Sequence, residues 1–595
     1  MPNVRFEIPS CPPEAVLGLR RELGVSDTLA QVLVRRGHDT PDLARAFLAA
    51  EEEHSPQGFR GIADAVATIL EHARGGLRIT VHGDYDVDGI CSTAVLVRTL
   101  RELGADVDSY IPDRAGDGYG LSLATVRRLA ERGTRLLITA DCAITAVEEV
   151  QAARELGMAV VVTDHHTPRA DGRLPDAPIV HPAVCGYPFT ELCAAAVAYK
   201  LAQALLGAAG GDERRLRRDL DLVALATVAD VVPLLGENRA LLRRGLRALA
   251  GTAKPGLRAL MAVAGVDPSR IGEREIGFAL APRLNAAGRL YRADAGLELL
   301  LTEDPARAAE IARELDAANS ERRQIERKIR FEAEAQLAEL GPRGAYVLAG
   351  ESWHPGVIGI VASRLVESSG RPVVMVALDG ERGRGSGRSI AAFDLLGGLR
   401  ACGEHLSRYG GHRAAAGLEI ERSRLDQFSA AFAAHAEGTL SADQMVPVEL
   451  VDAVVDGTPM NLELAEELRA LAPFGRENPP VSLMLAEARL RDPRPMGEGR
   501  HLRFTVESRG SRTQGVSFGQ GSKLPVPEGE LARASFALEL NEWNGLVEAR
   551  LRLRHALAAE IAPPVSDEAP AAEPDVVARE PGAAPAGANE QLALL

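Results

Sequence analysis

Residues Leu77 to Ala94 read LRITVHGDYDVDGICSTA. Leu77 to Val81 is a short apolar, β-branched run, and from Ile90 onward Ala94, Val95, Leu96 and Leu100 recur at helical spacing. The pattern predicts a strand, a loop over His82 to Gly89, and a helix. That loop carries His82, Asp84, Asp86 and Asp88. Carboxylates on alternate positions repel one another, which raises their pKa values and costs stability unless a cation lies among them. A calcium loop of the helix-loop-helix kind shares Asp84, Asp86, Asp88 and Gly89, but its twelfth position would be Val95 rather than Glu, and a strand precedes it. Two readings remain on this stretch alone, a metal site and a structural acidic turn.

The surroundings separate them. RLLITA (Arg135 to Ala140) is a second apolar run and is followed by Asp141; AVVVT (Ala159 to Thr163) is a third and is followed by Asp164-His165-His166. Strand, loop and helix alternate as in an open, doubly wound parallel sheet, whose ligand sites lie off the carboxyl ends of its strands. All three clusters then fall on one rim. Asp230, in LATVADVVPL, is the one acid of an apolar helical run and is placed to reach the rim from the side. Histidine with several carboxylates suits Mn²⁺ or Mg²⁺ better than a thiolate-loving metal, and the carboxylates suffice for two ions.

With HGDYDVDG, IPDRAGDGYGL, ITADCAI, VTDHH, ATVADVVPL, APRLNAAGR, WHPGVIGIVASRL, GSGRSI and GGHRAAAG in this order, the chain resembles the DHH phosphoesterase superfamily. Within it the likeness is to the bacterial RecJ-type single-strand-specific 5′→3′ exonucleases, from about Gly58 to about His555. The resemblance implies a processive-type hydrolase that releases nucleoside 5′-monophosphates through two Mn²⁺ or Mg²⁺ ions. It implies Asp141 as the bridging carboxylate, His82 and Asp86 on one ion, and Asp88, His165 and Asp230 on the other. His82 stands at a position that varies among such proteins. Asp84 would support the cluster from behind, His166 would face the scissile phosphate, and Asp164 would orient a metal-bound imidazole. Arg114, Arg283, Asn285, Arg289, Ser386, Arg388 and His412 would hold substrate phosphates. Two alternatives belong beside this reading: a nano-RNase or short-nucleotide phosphatase of the same superfamily, which would lack the C-terminal β-rich region, and a non-catalytic replication scaffold, which would lack ligands.

The length suggests about four domains at ~150 residues each. The expected order is a helical lead (1–57), a DHH catalytic domain (58–301), a connecting helix (302–341), a smaller α/β DHHA1 domain (342–442), an OB-like β-barrel (443–561) and a disordered tail (562–595). Within the connecting helix Ile311, Leu315, Ile325, Ile329 and Leu337 form an apolar stripe, and Gly341-Pro342 ends it. In the DHHA1 region Trp353 to Gly359 leads into a helix start, a natural phosphate seat, while GRGSGRS (Gly383 to Ser389) and Gly410-Gly411-His412 read as flexible, donor-rich loops. LRFTV, TQGVSF, SFALEL and LVEARLRL predict the barrel, and Pro473-Phe474-Gly475 with Asn478-Pro479 and Asn541 to Asn544 supports it through the family likeness. Phe504, Phe518 and Trp543, with Arg503 and Arg512, are candidates to stack bases and hold phosphates there.

The net charge of −15 runs against nucleic-acid binding; the acidic cluster and the tail, with six acids against Arg579 alone, account for part of it. Six cysteines form no C-x-x-C pair, so neither a zinc site nor a disulfide framework is expected. No leader pattern opens the chain and no run of ~18 apolar residues occurs, so a cytoplasmic enzyme with no membrane contact is expected. A helicase and a single-strand-binding protein are the partners the resemblance implies. The final Gln591-Leu592-Ala593-Leu594-Leu595 looks like the Gln-Leu-x-Leu-Phe peptides that dock on the bacterial sliding clamp, with Leu595 in place of Phe.

Overall fold

The computed structural model describes residues 4–113, 120–290, 292–543 and 546–559. They divide into two compact units, one over 50–441 with 473–478 and the other over 4–49, 442–472 and 479–559.

The first unit begins with a five-stranded, all-parallel sheet. Its strands are β1 (Ile79–His82), β2 (Val107–Tyr110), β3 (Leu136–Ala140), β4 (Ala159–Thr163) and β5 (Ile179–Val180), in the order β2-β1-β3-β4-β5. β1, β3 and all but the first residue of β4 are buried, as expected where helices cover both faces. The chain leaves β1 for β2 on one side and returns to β3 on the other, so the switch point where such folds bind ligands lies between β1 and β3. Helices α1 (Val87–Glu102), α2 (Ala194–Ala209) and α3 (Leu220–Ala229) share a single apolar core with the sheet. α1 starts three residues before the expected Ile90 because Asp86 caps it, its Oδ1 accepting from Gly89 N at 3.0 Å. Asp88 and Gly89 are thus helical. A Cβ on Gly89 would fall 2.5 Å from Asp84 O, so only glycine lets the acidic loop fold down on the helix.

α4 (Ala281–Leu290) follows a π-helical turn, Ile276–Leu280, and α5 (Pro305–Leu340) is a single 36-residue helix started by the Asp304 cap and a first-turn proline. It leads into a second sheet of β6 (Tyr346–Gly350), β7 (Val373–Asp379), β8 (Arg382–Arg388), β9 (Arg408–Gly411) and β10 (Ala415–Glu421), in the order β9-β10-β8-β7-β6, with α6 (Ile358–Ser369) packed on it. The GRGSGRS run is therefore not a loop but the central strand β8. Its glycines answer crowding across the sheet: Cβ atoms on Gly383 and Gly385 would lie 2.6 Å from Val376 Cγ1 and Leu418 Cδ1. Gly410-Gly411 likewise belongs to a strand, β9.

The second unit holds β11 (Leu483–Met496), β12 (His501–Ser508), β13 (Ser511–Phe518), β14 (Leu531–Trp543) and β15 (Leu546–Ala558). They pair β11-β12-β13-β15-β14, and β14 returns to β11, closing a five-stranded barrel. Its first strand runs through Pro493 and Pro495 by means of a bulge between Arg491 and Arg494, and that interruption hid it from the residue pattern. The N-terminal segment is built into the same unit. Arg5–Glu7 pairs in parallel with Val448–Leu450, and Arg36 clasps Asp452 with two 2.8 Å hydrogen bonds. No helix among the described residues is long and apolar enough to cross a membrane.

Candidate metal centre

The loop after β1 and the residues just beyond β3 and β4 converge at the switch point, and Asp230, the C-cap of α3, joins them. Three sets of donors each have all their ligand atoms within 4.8 Å: Asp84, Asp86 and Asp141; Asp88, His165 and Asp230; Asp141, His165 and His166. Asp141 is shared by two sets and has a left-handed backbone, φ 67°. His165 Nε2 lies 3.2 Å from Asp141 Oδ1 and 3.7 Å from both Asp88 Oδ2 and Asp230 Oδ2.

Backbone donors hold several of these side chains. Asp88 accepts from Ala194 N and Ala195 N, both at 2.7 Å, so it takes two donors that the start of α2 leaves unsatisfied. Asp164 Oδ2 accepts from Ile144 N at 2.9 Å, and its Oδ1 accepts from the amides of His165 and His166 and from His166 Nδ1 at 2.8 Å. The imidazole that Asp164 orients is thus that of His166. Asp84, expected behind the cluster, is itself one of the close-set donors. His82 is fully buried, stacked on Tyr110, with Nδ1 3.6 Å from Cys142 Sγ; it belongs to none of the three sets.

Burial, and then the Asp86 charge, push the Asp88 carboxyl up to about 7 against the pull of its two amides. Burial first and neighbouring carboxylates second push Asp141 and Asp230 well above the carboxylate range. Burial and the His166 charge hold His165 at about 3, a neutral imidazole. Burial would lower His166 too, but its bond to Asp164 overrides this and raises it to about 9; Asp164, which burial would raise, is held at about 2 by the same bond. Asp141 Oδ1 and His165 Nε2 are buried without hydrogen-bond partners. Hard oxygen donors, a neutral imidazole and mutually repelling acids make a set that a divalent cation satisfies.

In the second sheet Ser386 and Arg388 lie together at the end of β8, with Arg388 Nη1 donating to Ser386 Oγ at 3.0 Å. They face the first turn of α6, where a Cβ on Gly359 would sit 2.9 Å from both Arg388 Nη2 and Ser386 Oγ. His412 is exposed in the β9-to-β10 turn. Arg283 is engaged by Asp316 Oδ1 at 2.9 Å and Ala279 O at 2.6 Å, and Asn285 Oδ1 accepts from Val87 N at 3.1 Å, which ties Asn285 to the start of α1. Arg114, the side chains of Arg289 and Trp543, and Gln591 to Leu595 lie outside the described residues. In the barrel Phe504 is only 2% exposed and fills the space over Gly515, so it is core and cannot stack a base. Phe518 is exposed beneath the Arg550 guanidinium, Arg503 is exposed, and Arg512 is exposed and paired with Glu507 at 2.7 Å.

Pro473 to Asn478, expected as a barrel signature, instead packs on the first unit: Leu234 N donates to Arg476 O at 2.9 Å and Phe474 N to Glu273 Oε1 at 3.0 Å. This brings the Arg476 charge to the metal centre, where it partly offsets the rise at Asp230. The residue pattern around PFGREN carried no sign of it.

Three family models match along the chain: the DHH family N-terminal domain over residues 78–227, the DHHA1 domain over 341–438 and the RecJ OB domain over 451–555. The single-stranded-DNA-specific exonuclease RecJ of Bacillus subtilis is 38% identical over 568 residues, covering 94% of this chain and 71% of the relative. The chain belongs to the RecJ family. The RecJ of Escherichia coli is likewise 38% identical, over 82% of this chain and 89% of its own length. Among solved structures, RecJ of Thermus thermophilus in complex with Mn²⁺ superposes with a TM-score of 0.81 at 33% identity, over 94% of this chain and 80% of that one. A Mg²⁺ complex of the same protein gives 0.77.

Proposed function

We propose that this RecJ-family chain hydrolyses the phosphodiesters of single-stranded DNA from the 5′ end, releasing nucleoside 5′-monophosphates in DNA repair and recombination. The observation that carries the reading is the position of Asp141, which is grouped with Asp84 and Asp86 and lies 3.2 Å from His165 of the Asp88, His165 and Asp230 group. Asp84, Asp86 and Asp141 would hold one Mn²⁺ or Mg²⁺, and Asp88, His165, Asp230 and Asp141 a second. Bound there, the two ions would supply an activated water and neutralise charge on the scissile phosphate. The chain's own residues do the rest. Asp88 is fixed by the first amides of α2, so its oxygens are in place before an ion arrives. His166, kept protonated by Asp164, adds a positive charge where the phosphate gains negative charge. Ser386 and Arg388 receive a terminal phosphate beside the space left at Gly359, which sets the 5′ polarity.

The closed barrel favours long strands over dinucleotides as substrate. A cytoplasmic location, with a helicase, a single-strand-binding protein and a sliding clamp as partners, completes the reading. Release of mononucleotides from a 5′-labelled single strand, with Mn²⁺ and with EDTA, tests it. Metal-dependent release of the labelled 5′-terminal mononucleotide supports it; release from the 3′ end, or activity on dinucleotides alone, refutes it.

A further inference from the structure

Three polar residues in a row, Glu237, Asn238 and Arg239, are no more than 1% exposed at the start of the helix Gly236–Ala250. Charged and carboxamide side chains are rarely buried so deeply unless each has a partner. Glu237 pairs with Lys200 of α2 at 2.6 Å, and Arg239 Nη1 donates to Pro473 O at 3.4 Å. Asn238 is different. Its Nδ2 donates to two backbone carbonyls, Glu191 O at 2.6 Å and Pro233 O at 3.1 Å, while its Oδ1 is buried with no hydrogen-bond partner. An orphaned buried acceptor costs stability, so the reason for a carboxamide here lies in what its nitrogen ties together.

Both carbonyls belong to segments that carry the Asp88, His165 and Asp230 set. Glu191 stands three residues before Ala194, whose amide, with that of Ala195, holds Asp88, and the His165 imidazole is hydrogen-bonded to the backbone of Leu192. Pro233 stands three residues after Asp230. Between Asp230 and Pro233, Val231 has φ 52°, a left-handed conformation that a β-branched side chain resists. The turn that presents Asp230 is therefore strained and relaxes unless it is held. Across the gap the carboxylates of Asp88 and Asp230 also repel each other until a cation lies between them. Asn238 opposes both tendencies with one rigid group, since a planar carboxamide with two donors fixes the separation of the carbonyls it bridges.

We propose that Asn238 is a positioning residue of the metal centre: by bridging Glu191 O and Pro233 O it sets the gap between the segment that anchors Asp88 and His165 and the turn that presents Asp230. Asn238 supplies no ligand atom and lies outside the three donor sets. It acts through the width of one set, so its loss weakens the ion held by Asp88, His165 and Asp230 and leaves the ion held by Asp84 and Asp86 bound. The inference rests on the two-ion reading above, and its test reads ion binding apart from hydrolysis so that the two fail separately.

Full-length wild type, Asn238→Leu, Asn238→Ser and Leu242→Ala are compared in three measurements. Leucine has a similar volume and removes both donors, serine retains one shorter donor, and Leu242→Ala opens a cavity in the core face of the same helix without touching the bridge. Mn²⁺ binding by titration calorimetry should show two ions on wild type, one of them weakened about 10- to 100-fold in Asn238→Leu, less in Asn238→Ser and not at all in Leu242→Ala. Hydrolysis of a 5′-labelled single strand, at a Mn²⁺ concentration that saturates wild type, should lose kcat in Asn238→Leu by about the same factor with KM kept. Melting in EDTA establishes that each variant is folded; if Asn238→Leu is not, Asn238→Ser carries the comparison. Wild-type affinity for both ions in the Asn238 variants, or the same ion lost in Leu242→Ala, overturns the positioning role, and a wild type that binds a single ion overturns it together with the two-ion reading. If wild type binds two ions but cuts no strand, and Asn238→Leu still loses one of them, the nuclease reading falls and the positioning role stands.

Discussion

Asp141→Asn should abolish hydrolysis and, at the same time, stabilise the metal-free protein. Asparagine keeps the shape and, after glycine, is the uncharged residue that best tolerates the left-handed backbone at φ 67°, whereas alanine would add strain of its own. Asp141 belongs to the set with Asp84 and Asp86 and its Oδ1 lies 3.2 Å from His165 Nε2 of the set with Asp88 and Asp230, so its loss weakens both ion sites. An ion pair that contributes several kcal/mol to the transition state makes a loss of at least ~10³-fold the expectation, at ~1.36 kcal/mol per factor of ten. Without metal the sign reverses. Two like charges at the 4.8 Å limit of these sets repel by ~3.5 kcal/mol at an effective dielectric of about 20. Part of that is already offset because burial and neighbouring carboxylates raise the Asp141 pKa well above the carboxylate range, which leaves a gain on the order of 1 kcal/mol, or ~1–2 °C in a unit of about 400 residues. Hydrolysis of a 5′-labelled strand in Mn²⁺ and thermal melting in EDTA read the two effects. A rate loss below a hundredfold, or a metal-free variant that melts several degrees lower than wild type, would sink the bridging role.

Arg388→Ala should cost about 10- to 100-fold in kcat/KM on 5′-phosphorylated ends and much less on 5′-hydroxyl ends, the worth of a charge-assisted contact at ~1.5–3 kcal/mol; equal losses on both would mean a folding role. Gly359→Ala should narrow the same preference without a large change in melting, because the added Cβ meets only the ends of Arg388 and Ser386. Arg36→Ala should destabilise the barrel-containing unit by about 2–3 kcal/mol, since it leaves Asp452 nearly buried without its two 2.8 Å donors; chemical denaturation monitored on that unit checks it. Deleting residues 591–595 should leave the exonuclease rate unchanged and remove binding to purified sliding clamp by calorimetry; full-length protein that binds no clamp at high micromolar concentration refutes the tether.

The parallel sheet was legible because β1, β3 and β4 are buried on both faces and so appear as unbroken apolar runs, each ended by the acid or histidine it presents. The start of α1 was not, because Asp86 looks like one more loop acid until its Oδ1 is seen to accept from Gly89 N. The β8 strand was hidden by its own glycines: GRGSGRS has the composition of a loop, and only the crowding by Val376 and Leu418 explains why side chains are excluded there. Phe504 illustrates the opposite limit. Alternation in LRFTV marks a strand but not which face is inward, and closure of the barrel put Phe504 in the core while leaving Phe518 outside. Arg476 was out of reach for a different reason, since a short segment between two parts of one unit crossing to the other leaves no local pattern.

The carboxylates of the metal centre are held in place chiefly by backbone amides. Asp86 takes an amide of α1, Asp88 two of α2, and Asp164 those of Ile144, His165 and His166. Unsatisfied amides at a helix start carry a partial positive charge, so α1 and α2 offset some of the repulsion that the acids create before any cation is present. That distinguishes two kinds of acid in one cluster. Asp88 has an anchor that partly stabilises its charged form and rises only to about 7, while Asp141 and Asp230 are driven well above the ordinary carboxylate range by burial and their neighbours. An arriving ion therefore meets one set already shaped by Asp88 and the neutral His165, and the remaining protons leave Asp141 and Asp230 as it binds. Proton release on metal binding should accordingly be large in wild type and smaller in Asp141→Asn, a difference that titration calorimetry in buffers of different ionisation enthalpy reads directly, and equal release from both would refute this division of roles.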